Sequence, residues 1–122
     1  MKVSEIMSTS LTTVGPESTL GEAATLMGGH QVGSVLVCEG EQLVGILTER
    51  DIVRALSTAF DAPSRPVVEW MSKDPTTTTP EEEVKNALRT MVDGGFRHLP
   101  ILEGGQLVGM VSIRDVAGAM AD

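Results

Sequence analysis

The 122-residue sequence predicts an α/β (α+β) fold: two tandem βαββα units related by an approximate twofold, their sheets packed together with the helices outside. Three observations predict it. Slid against itself by 64 positions, the chain aligns residues 3–56 with 67–120 without a gap, and about 19 of the 54 pairs are identical, the mark of a duplicated supersecondary unit. Within each copy the apolar residues follow a strand pattern, then a helical one, then strand, strand and helix. Finally, a unit of 50–60 residues buries only about 60% of its unfolded surface, so two such units would share a core. The chain thus reads as repeat 1 at 1–58, a linker at 59–66 and repeat 2 at 67–122.

Each copy opens with a short extended piece, at 11–14 and 76–79, stopped by Pro16 or Pro80. A helix comes next. Leu20, Ala23, Ala24 and Met27 in copy one, and Val84, Ala87, Leu88 and Met91 in copy two, recur at i, i+3, i+4, i+7, one helical face. Gly28-Gly29 and Gly94-Gly95 are expected to end these helices. Two strands succeed it, 33–38 with 42–47 and 98–102 with 106–111, joined by the hairpin turns Glu39-Gly40-Glu41 and Glu103-Gly104-Gly105. A second helix, from Glu49 or from Ile113, closes each copy. The linker carries the Asp, Ser and Pro of a connector.

Composition narrows the function. The net charge is −8, which argues against nucleic acid, where affinity comes mainly from Lys and Arg on phosphates, and against an anionic membrane surface. A few well-placed arginines still suffice for a small phosphate ligand. No apolar run approaches the ~20 residues of a membrane span, and the start, MKVSEIMSTS, lacks the apolar stretch of a signal peptide; a cytoplasmic protein is expected. The single cysteine, Cys38, lies in an apolar run and reads as a small buried hydrophobe. Two histidines, His30 and His98, form no cluster with metal-ligand spacing. Ser112, Asp115 and His98 are triad residue types without a GxSxG or comparable context, so no catalysis is expected and no cofactor is required.

The most specific string is G-h-x-[ST]-x-x-D, with h apolar: GILTERD at 45–51 and GMVSIRD at 109–115. It is supported by EIMS at 5–8 and EWMS at 69–72, by T-x-x-P in each first strand, and by RHLP at 97–100. With these strings in register, the chain resembles the cystathionine-β-synthase-type (CBS) domain family over nearly its whole length. The resemblance implies a regulatory module whose clefts between repeats accept AMP, ADP, ATP or S-adenosylmethionine. It implies that Asp51 with Thr48, and Asp115 with Ser112, hold the ribose and support the phosphate. It implies that Arg97 and His98 face phosphate, and that Thr13, Val14, Thr77 and Thr78 line the adenine slot. It also implies a homodimer of four such units, and an effector protein on a separate chain.

The residues themselves leave two readings open. One carboxylate suits a ribose diol, because it accepts two hydrogen bonds. A hydroxyl at a helix start sits beside unpaired N–H groups that favour anions. Yet Thr48-x-x-Asp51 and Ser112-x-x-Asp115 are also the pattern of a helix cap, which stabilises by roughly 1 kcal/mol with no ligand present. Arg50 and Arg114 read either as helix-surface charges or as phosphate contacts. Trp70, aligned with Ile6, reads as core or interface. At the positions of Arg97 and His98, copy one has Gly33 and Ser34, so the two sites are unequal. A ligand-free dimerisation or partner-binding module is the alternative function.

Overall fold

Val3–Glu5 and Val67–Glu69 each form one 3-10 turn whose first valine is fully buried. Each turn opens the lead-in segment of a repeat. The computed structural model describes residues 1–121, and these form two compact units: a central one, Thr12–Pro75, and a split one, residues 1–11 with 76–121. The compact units are not coextensive with the sequence repeats, because the lead-in segment of each repeat belongs to the unit of the other.

The central unit holds β1 (Thr13–Val14), α1 (Leu20–His30), β2 (Ser34–Glu39), β3 (Gln42–Thr48), α2 (Glu49–Thr58) and β4 (Ser72–Lys73). Its sheet runs β1-β2-β3-β4, with β1 parallel to β2 and the other pairs antiparallel. Leu20, Ala23 and Met27 of α1 bury against Val35 and Val37 of β2 and Leu47 of β3, as the helical face and the β-branched strands require. The split unit repeats the pattern with α3 (Val84–Gly94), β5 (His98–Glu103), β6 (Gln106–Ser112) and α4 (Ile113–Met120). There the outer strands shrink to single bridges, Thr78 parallel to Ile101 and Ser8 antiparallel to Met110. The Ser8 bridge carries both backbone bonds, at 2.8 and 2.9 Å. Val84, Ala87 and Met91 pack on Leu99, Ile101 and Val111.

The glycine that opens each G-h-x-[ST]-x-x-D string has a steric cause. A Cβ on Gly45 would run into the Met71 side chain and lie 2.9 Å from the Ser72 carbonyl oxygen. A Cβ on Gly109 would lie 2.6 Å from Met7 Sδ and 3.1 Å from the Ser8 carbonyl oxygen. The Met-Ser pair of each lead-in therefore crosses the glycine of the other repeat at backbone distance, and only a residue without Cβ admits it.

One expectation fails. Gly28-Gly29 do not end α1, which continues to His30 and stops at Gln31 in the left-handed conformation (φ 56°). The Gln31 and Val32 amides both donate to the Met27 carbonyl, so buried Met27 carries the helix through the glycines. Glycine weakens a helix interior by about 1 kcal/mol but does not terminate it. In α3 the expectation holds: Gly95 sits at φ 72° and its amide caps the last turn.

Candidate functional site

Both hairpins have the same register: Ser34 faces Thr48, and His98 faces Ser112. Each third strand thus delivers its Thr or Ser beside the start of the second strand, and the closing helix begins at the next residue. The first amide of that helix is taken from outside: Glu49 N–H donates to the Gly33 carbonyl and Ile113 N–H to the Arg97 carbonyl, both at 3.0 Å. In the split unit, Arg97, His98, Ser112 and Asp115 therefore share one corner. In the central unit the same corner holds Gly33, Ser34, Thr48 and Asp51. Arg50 and Arg114 are exposed in the first turns of α2 and α4.

The two carboxylates differ in their surroundings. Thr48 and Asp51 form a complete capping box: Asp51 Oδ2 accepts from the Thr48 amide at 2.8 Å and from its hydroxyl at 3.1 Å, and the Asp51 amide donates back to Thr48 Oγ1. Asp51 Oδ1 accepts from Arg54 at 3.3 Å. The Asp51 side chain is only 8% exposed, and the Arg54 guanidinium lies 5.9 Å from the centre of the Trp70 ring. Ser112 and Asp115 form the same box, with the Ser112 amide donating to Asp115 Oδ2 at 2.8 Å and the Asp115 amide to Ser112 Oγ at 3.1 Å. Among the described residues Asp115 Oδ1 accepts no hydrogen bond. Asp115 is half-buried. At the positions of Arg54 and Trp70 this unit has Gly118 and Ile6.

Charge differs as well. A Cβ built on Gly33 would lie 3.3 Å from Glu49 Oε1, so a carboxylate covers that strand start in the central unit. The split unit has exposed Arg97 there, then half-buried His98, with Ile113 in place of Glu49.

The adenine-slot residues divide. Thr13 is exposed and Val14 is buried in the core of the central unit; β1 pairs them with Leu36 and Val37. Thr77 is exposed. Thr78 is half-buried, and its backbone is tied to β5 through the Pro100 carbonyl and the Leu102 amide. Sequence reasoning passed over Arg54. Its spacing of three from Asp51 is the only signal, and such pairs are common on helices. Trp70 is half-buried against the central core, in the unit of the other repeat.

Among the described residues no group of three or more His, Cys, Asp and Glu could hold a metal, and no helix is long and apolar enough to cross a membrane.

Comparison with known proteins gives a consistent answer. The family described as the CBS domain matches residues 3–58 and 67–122. A 17.7 kDa protein of Acidianus ambivalens is 47% identical over 99% of this chain and 74% of its own length. The CBS domain-containing protein YhcV of Bacillus subtilis is 36% identical over 94% of this chain and 82% of its own. Among solved structures, a CBS-domain containing protein from Agrobacterium tumefaciens superposes with a TM-score of 0.94 at 31% identity, covering 99% of this chain and all of that one. Two more distant structures share the fold. CBSX2, solved with AMP, has a TM-score of 0.85 at 21% identity over 97% of this chain and 94% of its own. The domain pair of MJ0100, solved with 5-methylthioadenosine and S-adenosyl-L-methionine, has a TM-score of 0.90 at 24% identity over 98% and 94%.

Proposed function

Because this chain belongs to the CBS-domain family, we propose that it is a regulatory module that binds an adenosine-containing ligand and signals to an effector protein. AMP, ADP, ATP and S-adenosylmethionine are the candidate ligands. The observation that carries the reading is the corner of the split unit. There Asp115 presents an oxygen that no described residue occupies, next to the strand start that carries Arg97 and His98. A ribose diol fits a carboxylate with spare acceptor capacity, and a phosphate fits a planar guanidinium. That more distant members of the same fold were solved with AMP and with S-adenosyl-L-methionine supports adenosine as the shared element. In this reading Thr48 and Ser112 steady the ribose or phosphate, Thr13, Val14, Thr77 and Thr78 flank the base, and Arg114 adds to the phosphate side.

The complete capping boxes favour a second reading, in which the scaffold serves only dimerisation or partner binding. A cap gives the Thr/Ser and Asp residues a role of roughly 1 kcal/mol without any ligand. Thermal unfolding with AMP, ADP, ATP and S-adenosylmethionine separates the two. A ligand at 100 times its Kd stabilises by about 2.7 kcal/mol, a rise of several degrees for a chain of this size. A melting temperature that no member of the panel moves leaves the second reading standing.

A further inference from the structure

We propose that Arg54 is a built-in counter-ion that competes with ligand for the Asp51 carboxylate, so that the central unit is the weaker of two adenosine sites. The inference rests on the reading of Asp51 and Asp115 as ribose-holding groups. Three facts place Arg54 in this role. It stands three residues after Asp51 on α2 and donates to Oδ1 at 3.3 Å, the one oxygen the capping box leaves over. Its guanidinium is held 5.9 Å from the Trp70 ring centre, within the range where a cation is attracted to an aromatic face. Neither partner exists in the split unit, where Gly118 and Ile6 occupy the equivalent positions and Asp115 Oδ1 accepts no hydrogen bond from a described residue.

A ribose that approaches Asp51 must find acceptor capacity on a carboxylate whose two oxygens are already engaged. One is held by the Thr48 amide and hydroxyl, which the helix needs. The other is held by Arg54, which is 56% exposed and can swing away. Release of Arg54 forgoes an ion pair and its contact with Trp70. Because the Arg54 end of the contact is open to solvent, its ion pair and its cation–π contact are each modest, so the effect on affinity is about fivefold rather than absolute. The displaced guanidinium is then free in solvent, and Trp70 loses a charge from its surroundings. Because Trp70 is the only tryptophan in the chain, its fluorescence reports the event directly.

The test uses adenosine, which has no phosphate for Arg54 to attract. Adenosine is titrated by calorimetry into wild type, Asp115→Asn, and Asp115→Asn combined with Arg54→Gln. Asp115→Asn silences the split unit and exposes the weaker site. Adding Arg54→Gln should then tighten adenosine binding about fivefold, and adenosine should change Trp70 emission only while Arg54 is present. A second variant works in the opposite direction. A Cβ on Gly118 meets nothing within 4 Å, so Gly118→Arg installs a guanidinium three residues after Asp115 and should weaken adenosine binding to otherwise wild-type protein. If wild type binds but Arg54→Gln leaves the Asp115→Asn site unchanged or weaker, the counter-ion role is overturned and the ligand reading survives. If neither wild type nor Arg54→Gln protein binds adenosine, both fall together.

Discussion

Asp51 accepts from the Thr48 amide, the Thr48 hydroxyl and Arg54, whereas Asp115 accepts from the Ser112 amide alone among the described residues. The two caps are therefore unequal in energy. Asp115→Ala should cost about 0.5–2 kcal/mol, the usual range for a lost cap. Asp51→Ala should cost more, about 1–3 kcal/mol, because hydrogen bonds to a buried charged acceptor are stronger. Urea unfolding of the two variants checks the order. Arg97 has a separate signature, since only a ligand with phosphate can use its fork of donors. Arg97→Ala should weaken AMP about tenfold or more and leave adenosine nearly unchanged; equal losses for both would remove its phosphate role. Cys38, expected to be buried, is only half-buried, but that partial burial still pushes the thiol above its ordinary value, so the folded chain holds that proton more tightly than the unfolded one. Stability from this group is complete below the unfolded pKa and falls as pH rises through the folded one. Wild type should thus lose stability in alkali that Cys38→Ala retains, and alkylation of the native thiol at pH 8 should be slower than in urea.

At the scale of elements, α1 contains two glycines that its sequence does not need. Gly28 and Gly29 are exposed within the helix, and a Cβ on either meets nothing within 4 Å. Gly28→Ala and Gly29→Ala should each stabilise by about 0.5–1 kcal/mol. Gly45→Ala and Gly109→Ala should do the reverse, by about 1–3 kcal/mol, because the lead-in backbone and a methionine must shift. Melting curves of the four variants should show the opposite signs. These glycines also show how far the elements could be read in advance. The helices and hairpins were legible because the 3.6 and 2.0 periods are local. So were the starts of α2 and α4, because Thr48 and Ser112 are cap residues. The end of α1 was not, because buried Met27, a tertiary anchor, overrides the local cost of Gly28-Gly29. Nor was β4, since two residues of strand at Ser72–Lys73 exist only through pairing with distant β3. For the same reason the sequence showed Asp51 and Asp115 as equivalent. Their difference comes from Arg54 and Trp70, whose meeting depends on the lead-in of the other repeat.

For the whole molecule, the prediction is a homodimer that covers exposed apolar side chains. Val53 (65% exposed) and Leu56 (57%) lie three apart on α2, and Val92 (63%) and Met120 (70%) on α3 and α4. A second copy of the chain is the expected cover, since closed twofold dimers are the commonest oligomers. Light scattering at tens of micromolar should give twice the chain mass, and Leu56→Asp should shift it toward the monomer. A monomer mass for wild type would remove the dimer from the reading.

Strand exchange between the repeats bears on what happens when the chain is cut. If it is severed in the connector at 59–66, the first fragment keeps Met7-Ser8, which pairs with β6 of the second, and the second keeps β4, which pairs with β3 of the first. Each half is then an incomplete sheet that carries the missing edge of its counterpart. An unpaired edge is an invitation to foreign strands, so either half expressed alone should aggregate or pair with itself. Co-expressed, the halves should reassemble non-covalently, each donating a strand to the other. The molecule is thus a natural candidate for a split reporter whose reassembly is set by the same Met-Ser and glycine crossings that close the intact chain.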